Sequence, residues 1–302
     1  MKFSIILTTY NRGDTFLRQS IESVVNQTYN NWELLIYDNY STDTTDEVVS
    51  QFKSSKIKYK KFLNNGIISR SRNLGIYEAD GDFTGLIDSD DYWEKDKLLE
   101  CSNNLKSKNI DGVCHAENWI FPDGNKMIVN YGPEHRFCYT NLLTYGNCLS
   151  PSATLIKNQV LRDVGGYSEN SEYTTAEDYD LWLKISKKNH KFKFIRDVLG
   201  NFRVHAEGLS YDTQNNIEAS IAVVKDHCIS SSNKTHRPVG NCYFNGAKTF
   251  HVRGEYSQAL LNYLKSIRHY WFFNRSWIYI LILLIPHKIL SYLYERRKIK
   301  GK

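Results

Sequence analysis

The sequence lacks the marks of several protein classes. None of its six cysteines forms a Cys-x-x-Cys pair, so we do not expect a zinc site. The formal net charge of +6 is small for 302 residues and allows an anionic partner, but we expect no nucleic-acid partner. We expect no secretory leader, because Met1-Lys2 runs directly into an apolar segment. We therefore expect a cytosolic setting with reduced thiols.

The chain is also poor in proline, with 5 in 302 residues, and its 41% hydrophobic and 24% charged content is ordinary for a globular protein. In its N-terminal half, short apolar runs alternate with helical patterns, which predicts a parallel sheet covered on both faces. Asp14 is predicted to cap the first helix. The predicted strands are 3–8, 32–37, 57–63 and 83–88. A first helix is expected after Asp14, a second after Asp43 that ends at about residue 52, and a third near 67–79.

The fourth predicted strand ends in three carboxylates, Asp88, Asp90 and Asp91. Carboxylates at the end of a buried strand are costly unless a cation pairs with them. This end of an open α/β sheet is also where ligands bind. A divalent metal, Mg²⁺ or Mn²⁺, shared with substrate phosphates accounts for them. The alternative is an Asp-rich turn that leads into the next helix.

Two more polar loops follow the first two strands, at Thr8 to Asn11 and at Asp38 with Ser41 to Asp43. The Asp38 carboxylate can accept a hydrogen bond from a nucleotide base or a ribose hydroxyl, or it can cap the following helix. Arg72, in a predicted helix, suits a carboxylate or a phosphate, with a surface ion pair as the alternative.

Six segments, in this order, resemble the family 2 glycosyltransferases of the GT-A fold, including the bacterial surface-polysaccharide type. They are Ser4–Arg12, Ser20–Tyr29, Trp32–Ile36, Asp38 with Ser41–Asp43, Ser71–Gly75 and Asp88–Asp91. The family's second loop usually reads Asp-Asp-Gly-Ser-Thr-Asp, whereas Asn39 and Tyr40 stand here in place of the second Asp and the Gly. The resemblance implies a Rossmann-like mixed sheet in an α/β catalytic domain at residues 1–210, and a helical extension at 211–302.

The resemblance also implies roles for single residues. Asp88 is expected near the ribose and Asp90 as the direct ligand of Mn²⁺ or Mg²⁺. The expected donor-nucleotide site consists of Thr8, Tyr10, Asp38, Arg72 and Asp88. In the segment Phe202–His205, which resembles the family's Tyr-Arg-x-His element, His205 is expected to bind the metal or the diphosphate. Arg203 is expected to pair with phosphate oxygens.

The acid pair Glu177-Asp178 lies in the first turn of a predicted helix, where the helix dipole favours anions. A plain acidic helix start is the alternative. The resemblance implies that Asp178 takes the proton of an acceptor hydroxyl, with Glu177 contacting the acceptor. Upstream, strands are predicted at 113–119, 127–129 and 153–156. Residues 132–152 are less regular and are predicted to form an acceptor-side loop.

Beyond Tyr211 the pattern becomes helical. Trp271 to Tyr294 is rich in aromatic and aliphatic residues, but its uninterrupted apolar part, Trp277 to Ile285, is about half a bilayer span. A basic segment, 296–302, follows. We predict an interfacial helix on an anionic leaflet, peripheral to the inner face of the cytoplasmic membrane. Packing against the catalytic domain or against a second subunit, in a homo-oligomer, is the alternative. Helices are predicted at 217–229, 241–253, 256–268 and 276–297.

Together these patterns predict an inverting, metal-dependent glycosyltransferase. Its donor would be a nucleotide-diphosphate sugar, UDP-linked, and its acceptor a hydroxyl group of a growing glycan, carried on a lipid. A nucleotidyltransferase is one alternative, although its phosphate loop should be rich in glycine and basic residues, and residues 9–13 hold one Arg and one Gly. The other alternative is a catalytically silent membrane adaptor.

Overall fold

The computed structural model describes residues 1–106, 109–208, 211–231, 235–271 and 275–283. Within these ranges the chain forms two compact units. The first comprises residues 1–143 and 147–211, and the second comprises residues 144–146 and those from 212 onward.

The first unit is built on one mixed sheet. Its strands are β1 (Phe3–Thr9), β2 (Trp32–Asp38), β3 (Ile57–Lys61), β4 (Phe83–Asp88), β5 (Tyr92–Trp93), β6 (Gly112–Ile120), β7 (Lys126–Val129), β8 (Thr154–Lys157) and β9 (Phe192–Arg203). The order is β3-β2-β1-β4-β8-β6-β9-β5, with β7 paired to β6. The four strands from β3 to β4 are parallel, whereas β8 runs antiparallel to both of its neighbours. The predicted mixed α/β sheet is confirmed.

Helices connect these strands, as the alternating pattern predicts. They are α1 (Leu17–Val25), α2 (Thr45–Ser50), α3 (Ile68–Glu78), α4 (Lys97–Leu105), α5 (Tyr139–Tyr145), α6 (Asn158–Asp163) and α7 (Glu177–Lys187), with single 3₁₀ turns at Glu134–Arg136 and Ser171–Tyr173. Apolar residues of α1, including Leu17, Ile21 and Val24, join the core that covers β1, β2 and β4. Every residue of β1 and β2 is buried, as expected from the apolar runs 5–7 and 34–37 at their centres.

The strand register brings the three predicted loops to one edge of the sheet. Thr9 of β1 lies opposite Asp38 of β2, and Thr8 lies opposite Asp88 of β4. Because these strands are parallel, their exit loops leave the sheet side by side. The expected convergence of the loops is therefore confirmed.

One prediction and one alternative about helix starts are wrong. Asp14 does not cap α1, which begins at Leu17; its carboxylate instead accepts a hydrogen bond from the Thr44 hydroxyl. Asp91 does not lead into a helix, because β5 follows it directly and α4 begins only at Lys97. The Asp91 carboxylate accepts from the Arg203 N–H at 3.1 Å, so both aspartates contact residues that are distant in sequence.

The second unit is helical and comprises α8 (Thr213–Ser231), α9 (His236–Val252), α10 (Tyr256–His269) and α11 (Ser276–Leu283). Helices α9 and α10 pack against each other as a hairpin, with the ring centres of Phe244 and Tyr263 6.0 Å apart. Within the described ranges, none of the helices combines the length and the apolar character needed to cross a bilayer. The predicted membrane segment lies outside the described residues from 284 onward, as does its basic tail.

Candidate active site

The exit loops of β1 and β2 are held together by hydrogen bonds. The Asn11 backbone N–H donates to the Ser41 hydroxyl at 2.8 Å, and the Thr42 N–H donates to Asn11 Oδ1 at 2.9 Å. In the loop after β1, the Tyr10 side chain is exposed, whereas Thr8 at the end of the strand is buried. The two loops thus form a connected rim at the edge where a donor nucleotide is predicted.

Asp38 is fully buried at the end of β2. Its carboxylate accepts from the Ser41 N–H at 3.0 Å and from the Tyr59 hydroxyl at 2.9 Å. Helix α2 begins at Thr45 with Thr44 as its N-cap residue, and the carboxylate that accepts from the Thr45 N–H is that of Asp43, at 3.1 Å. The alternative that Asp38 caps the helix is therefore wrong, and its contact with a nucleotide stays a prediction.

Tyr40 stands where the family's loop usually has glycine. Its φ is +56°, in the left-handed region that glycine adopts freely and that strains an L side chain. The ring is 55% exposed, so packing does not explain this conformation. A residue with a left-handed backbone thus stands at the position where the family usually has glycine.

Arg72 connects the donor edge to the acid pair. Its guanidinium donates to Asp88 Oδ1 and to Glu177 Oε1, each at 2.8 Å, and it lies 5.4 Å from the centre of the Tyr167 ring. Burial disfavours the charged guanidinium, but the two carboxylates outweigh burial and raise the pKa of Arg72. Arg72 is thus buried in a double ion pair; a contact with the nucleotide stays a prediction.

The residues beside Arg72 attach α3 to other loops. Asn64 Nδ2 donates to the Ser71 hydroxyl at 3.0 Å. Asn73 pairs with both backbone groups of Tyr167, donating to its carbonyl at 3.0 Å and accepting from its N–H at 2.8 Å. The consecutive residues Ser71, Arg72 and Asn73 therefore each bind a different part of the site.

The two predicted metal ligands lie side by side. His205 Nε2 is 3.0 Å from Asp90 Oδ2, and the imidazole packs against Phe16 with ring centres 5.2 Å apart. Within the described ranges, no group of three or more His, Cys, Asp or Glu side chains could hold a metal ion. A carboxylate and an imidazole nevertheless fit a metal that takes its other ligands from phosphate and water, and the imidazole suits Mn²⁺ better than Mg²⁺.

Arg203 supports the same loop. Its guanidinium donates to the Asp90 carbonyl and to Gln19, and it lies 4.7 Å and 4.6 Å from the centres of the Phe16 and Tyr92 rings. Burial lowers its pKa. Contacts with Asp90 and two rings thus hold the guanidinium beside the predicted metal pair.

Glu177 and Asp178 begin α7, as predicted. Burial, and then the charge of Glu177, raise the pKa of Asp178 to about 7, against the opposing effect of Arg72. Thr175, just before them, has φ +79°, a strained value for a β-branched residue. A carboxyl group with a pKa near neutrality can exchange a proton with a substrate hydroxyl.

A buried charged cluster behind the Asp88–Asp91 loop was not predicted from the sequence. Lys97 Nζ donates to the Ser152 carbonyl at 2.6 Å and lies 3.4 Å from the centre of the Trp93 ring. Burial lowers the pKa of Lys97 to about 7 and raises that of Glu117, which accepts from the Tyr131 hydroxyl at 2.7 Å. No sequence pattern distinguishes such a lysine from one on the surface of an amphipathic helix.

Solved structures show the class of fold. The S. aureus protein TarS in complex with UDP-GlcNAc matches with a TM-score of 0.64 and 19% identity, over 89% of this chain and 81% of that one. The mannosyltransferase PcManGT from Pyrobaculum calidifontis, in complex with GDP-Man and Mn²⁺, matches with a TM-score of 0.57 and 15% identity, over 94% and 84% of the two chains. The fold is therefore the predicted GT-A fold.

Sequence comparison gives the family. Residues 4–165 match Glycosyl transferase family 2. A relative from Escherichia coli, UDP-Glc:alpha-D-GlcNAc-diphosphoundecaprenol beta-1,3-glucosyltransferase WfaP, is 29% identical over 238 residues, which are 75% of this chain and 89% of the relative. The chain belongs to glycosyl transferase family 2 and is a glycosyltransferase, which decides against the nucleotidyltransferase alternative.

Proposed function

We propose that the protein is an inverting glycosyltransferase that moves a sugar from a UDP-linked donor to a hydroxyl group of a lipid-linked glycan. The observation that carries the proposal is the Arg72 bridge, which joins Asp88 at the donor edge to Glu177 beside Asp178. The carboxylates expected to serve the donor and the acceptor thus belong to one site. The name of the E. coli relative, with its UDP-Glc donor and diphosphoundecaprenol-linked acceptor, supports these substrate classes.

In this proposal Asp178 takes the proton of the acceptor hydroxyl while that oxygen forms a bond to the anomeric carbon. The bond from this carbon to the diphosphate breaks on the opposite face, and UDP leaves. A base is most effective when its pKa lies near the working pH, and burial raises the pKa of Asp178 to about 7. Glu177 Oε2 is buried and has no hydrogen-bond partner among the described residues. It is available to a second hydroxyl of the acceptor.

On the donor side, Asp38 and Tyr10 bind the base, Asp88 the ribose, and Arg203 the phosphate oxygens. Asp90 and His205 would hold Mn²⁺ or Mg²⁺, which when bound neutralises the charge of the diphosphate leaving group. Calorimetry of UDP binding in the presence of Mn²⁺ tests these two ligands. Asp90→Ala and His205→Ala should each weaken binding strongly, and unchanged affinity would remove the residue from the site.

Replacement of the base tests the mechanism. Asp178→Asn keeps the shape of the side chain but cannot accept the proton, so sugar transfer should fall by about 10²-fold or more, while UDP still binds. Glu172→Gln is the matched control, since it removes an exposed carboxylate from the turn before α7 and should leave transfer unchanged. Transfer by Asp178→Asn within about tenfold of the wild type would show that Asp178 is not the base.

We also propose that the C-terminal unit binds the inner face of the cytoplasmic membrane. Trp277, Ile278 and Leu281 of α11 are exposed, and the sequence continues into the basic segment 296–302. The protein should therefore float with vesicles containing phosphatidylglycerol and much less with phosphatidylcholine vesicles. If the protein floats with neither kind of vesicle and is a dimer in solution, a second copy of the chain is favoured as the partner of this helix.

A further inference from the structure

A side chain from outside α7 contacts the proposed base. Asn147 lies between α5 and β8, and its Nδ2 donates to Asp178 Oδ2 at 2.9 Å. The other carboxylate oxygen, Oδ1, accepts from the backbone N–H of Tyr179 at 2.7 Å. Each oxygen of the carboxylate therefore has a donor. From the sequence, Asn147 is no more than one polar residue of a predicted acceptor-side loop.

The orientation of the Asn147 amide is fixed by a second hydrogen bond. Its Oδ1 accepts from the Leu149 N–H at 2.9 Å, in a tight turn of the kind that asparagine favours. Since the oxygen is held by a donor, the nitrogen must be the atom that faces Asp178. A flipped amide would break this bond and place its oxygen against the carboxylate. Leu149 is buried and anchors the turn.

Titratable groups face Asp178 from several elements. Glu177 precedes it on α7, Arg72 approaches from α3, and the Tyr167 hydroxyl belongs to the turn after α6. Burial and Glu177 raise the pKa of Asp178, whereas Arg72 lowers it, and so do the hydrogen bonds from the Tyr179 N–H and from Asn147. A donor to a carboxylate stabilises its charged form. The hydrogen bond from Asn147 therefore lowers the pKa of Asp178, whereas burial raises it.

We propose that Asn147 is a positioning residue for the Asp178 base, holding one carboxylate oxygen in place by the hydrogen bond that it donates. The acceptor hydroxyl then meets a carboxylate whose orientation is restricted and whose ionised form the donor favours. This inference rests on the proposed function, because it gives Asn147 a role only through Asp178.

The test is the pH dependence of kcat/KM in Asn147→Ala and Asn147→Asp, with UDP-glucose as donor and a synthetic GlcNAc-diphospho-lipid as acceptor. Loss of the donated hydrogen bond should move the acid limb to higher pH by about one pH unit. Asn147→Asp should move it further, since a second carboxylate repels the charge of Asp178. The KM for the donor should not change. Asn147 is exposed, so neither substitution removes core packing.

Asn141→Ala is the matched control, because this α5 residue donates to the His135 carbonyl at 2.8 Å and not to Asp178. The acid limb of the kcat/KM profile of this variant should stay at the wild-type pH. An unmoved limb in both Asn147 variants, with Asp178→Asn inactive, would overturn the role of Asn147 and leave the base in place. Activity in Asp178→Asn would instead overturn the proposed base, whatever the Asn147 variants show. The two failures are thus distinguishable.

Discussion

Replacing Arg72 by Met would remove the cation from a bridge between two carboxylates. The Arg72 side chain is 4% exposed, that of Glu177 is 10% exposed and that of Asp88 is 30% exposed. Asp88 can therefore recover water, whereas Glu177 would be left charged, buried and unpaired. Removing one partner of a buried ion pair costs about 3–5 kcal/mol. Because one of the two carboxylates can resolvate, we expect the free energy of unfolding to fall by about 3 kcal/mol.

A double-mutant cycle isolates this mechanism. Glu177→Gln removes the stranded charge, so Arg72→Met combined with Glu177→Gln should be more stable than the sum of the single effects by about 1–2 kcal/mol. The assay is chemical denaturation of the wild type, both single variants and the double variant at pH 7. Arg70→Met is the control, since Arg70 lies on the same helix but pairs with the more exposed Glu169 at 3.4 Å and should cost less than about 1 kcal/mol. Additive effects, or equal costs for Arg70 and Arg72, would refute the argument.

Two other predictions concern stability. Burial raises the pKa of Glu33, but hydrogen bonds with Asp80, Lys58 and Ser4 outweigh it and lower that pKa to about 2. The carboxylate thus contributes stability above pH 4.5 that is lost as pH falls toward 2. Glu33→Gln should therefore lower the free energy of unfolding by about 2 kcal/mol at pH 7. This figure allows for solvent screening of the exposed Lys58. The loss should be smaller at pH 3, and an equal loss at both pH values would contradict this reasoning. Tyr40→Gly should be about 1 kcal/mol more stable than Tyr40→Ala in thermal unfolding, because only glycine relieves the left-handed backbone; equal stability would show that no strain exists there.

The parts of the fold that follow from local sequence were predictable. The continuous apolar runs of β1 and β2 signal strands buried on both faces, and the polar residues after them mark the edge where ligands bind. The position of β8 was not predictable, because its antiparallel pairing with β4 and β6 depends on residues far apart in the chain. The cap predicted at Asp14 and the alternative of a helix-leading turn at Asp88–Asp91 failed for the same reason: the partners of these aspartates are distant, and the sequence shows only local signals.

In the site, too, local sequence identifies single residues but not the contacts between distant ones. The resemblance to a family identifies which residues to examine, such as Asp88, Asp90 and Asp178, but not their contacts. Arg72 and Glu177 are 105 positions apart, and nothing in either segment indicates that they pair. Asn147 carries no local signal at all, since its role depends on the side chain it meets. Long-range electrostatic pairing therefore has to come from the structure.

The three consecutive contacts of α3 have a consequence for insertions and deletions. Successive helical residues point about 100° apart, so adding or removing one residue before Ser71 would rotate Ser71, Arg72 and Asn73 away from all their partners at once. The exposed β6–β7 turn at residues 122–124 makes no comparable set of contacts within the described residues. Length variation among natural or engineered relatives should therefore collect in turns of that kind. The helix turn before Ser71, residues 67–70, should therefore vary in sequence but hardly in length.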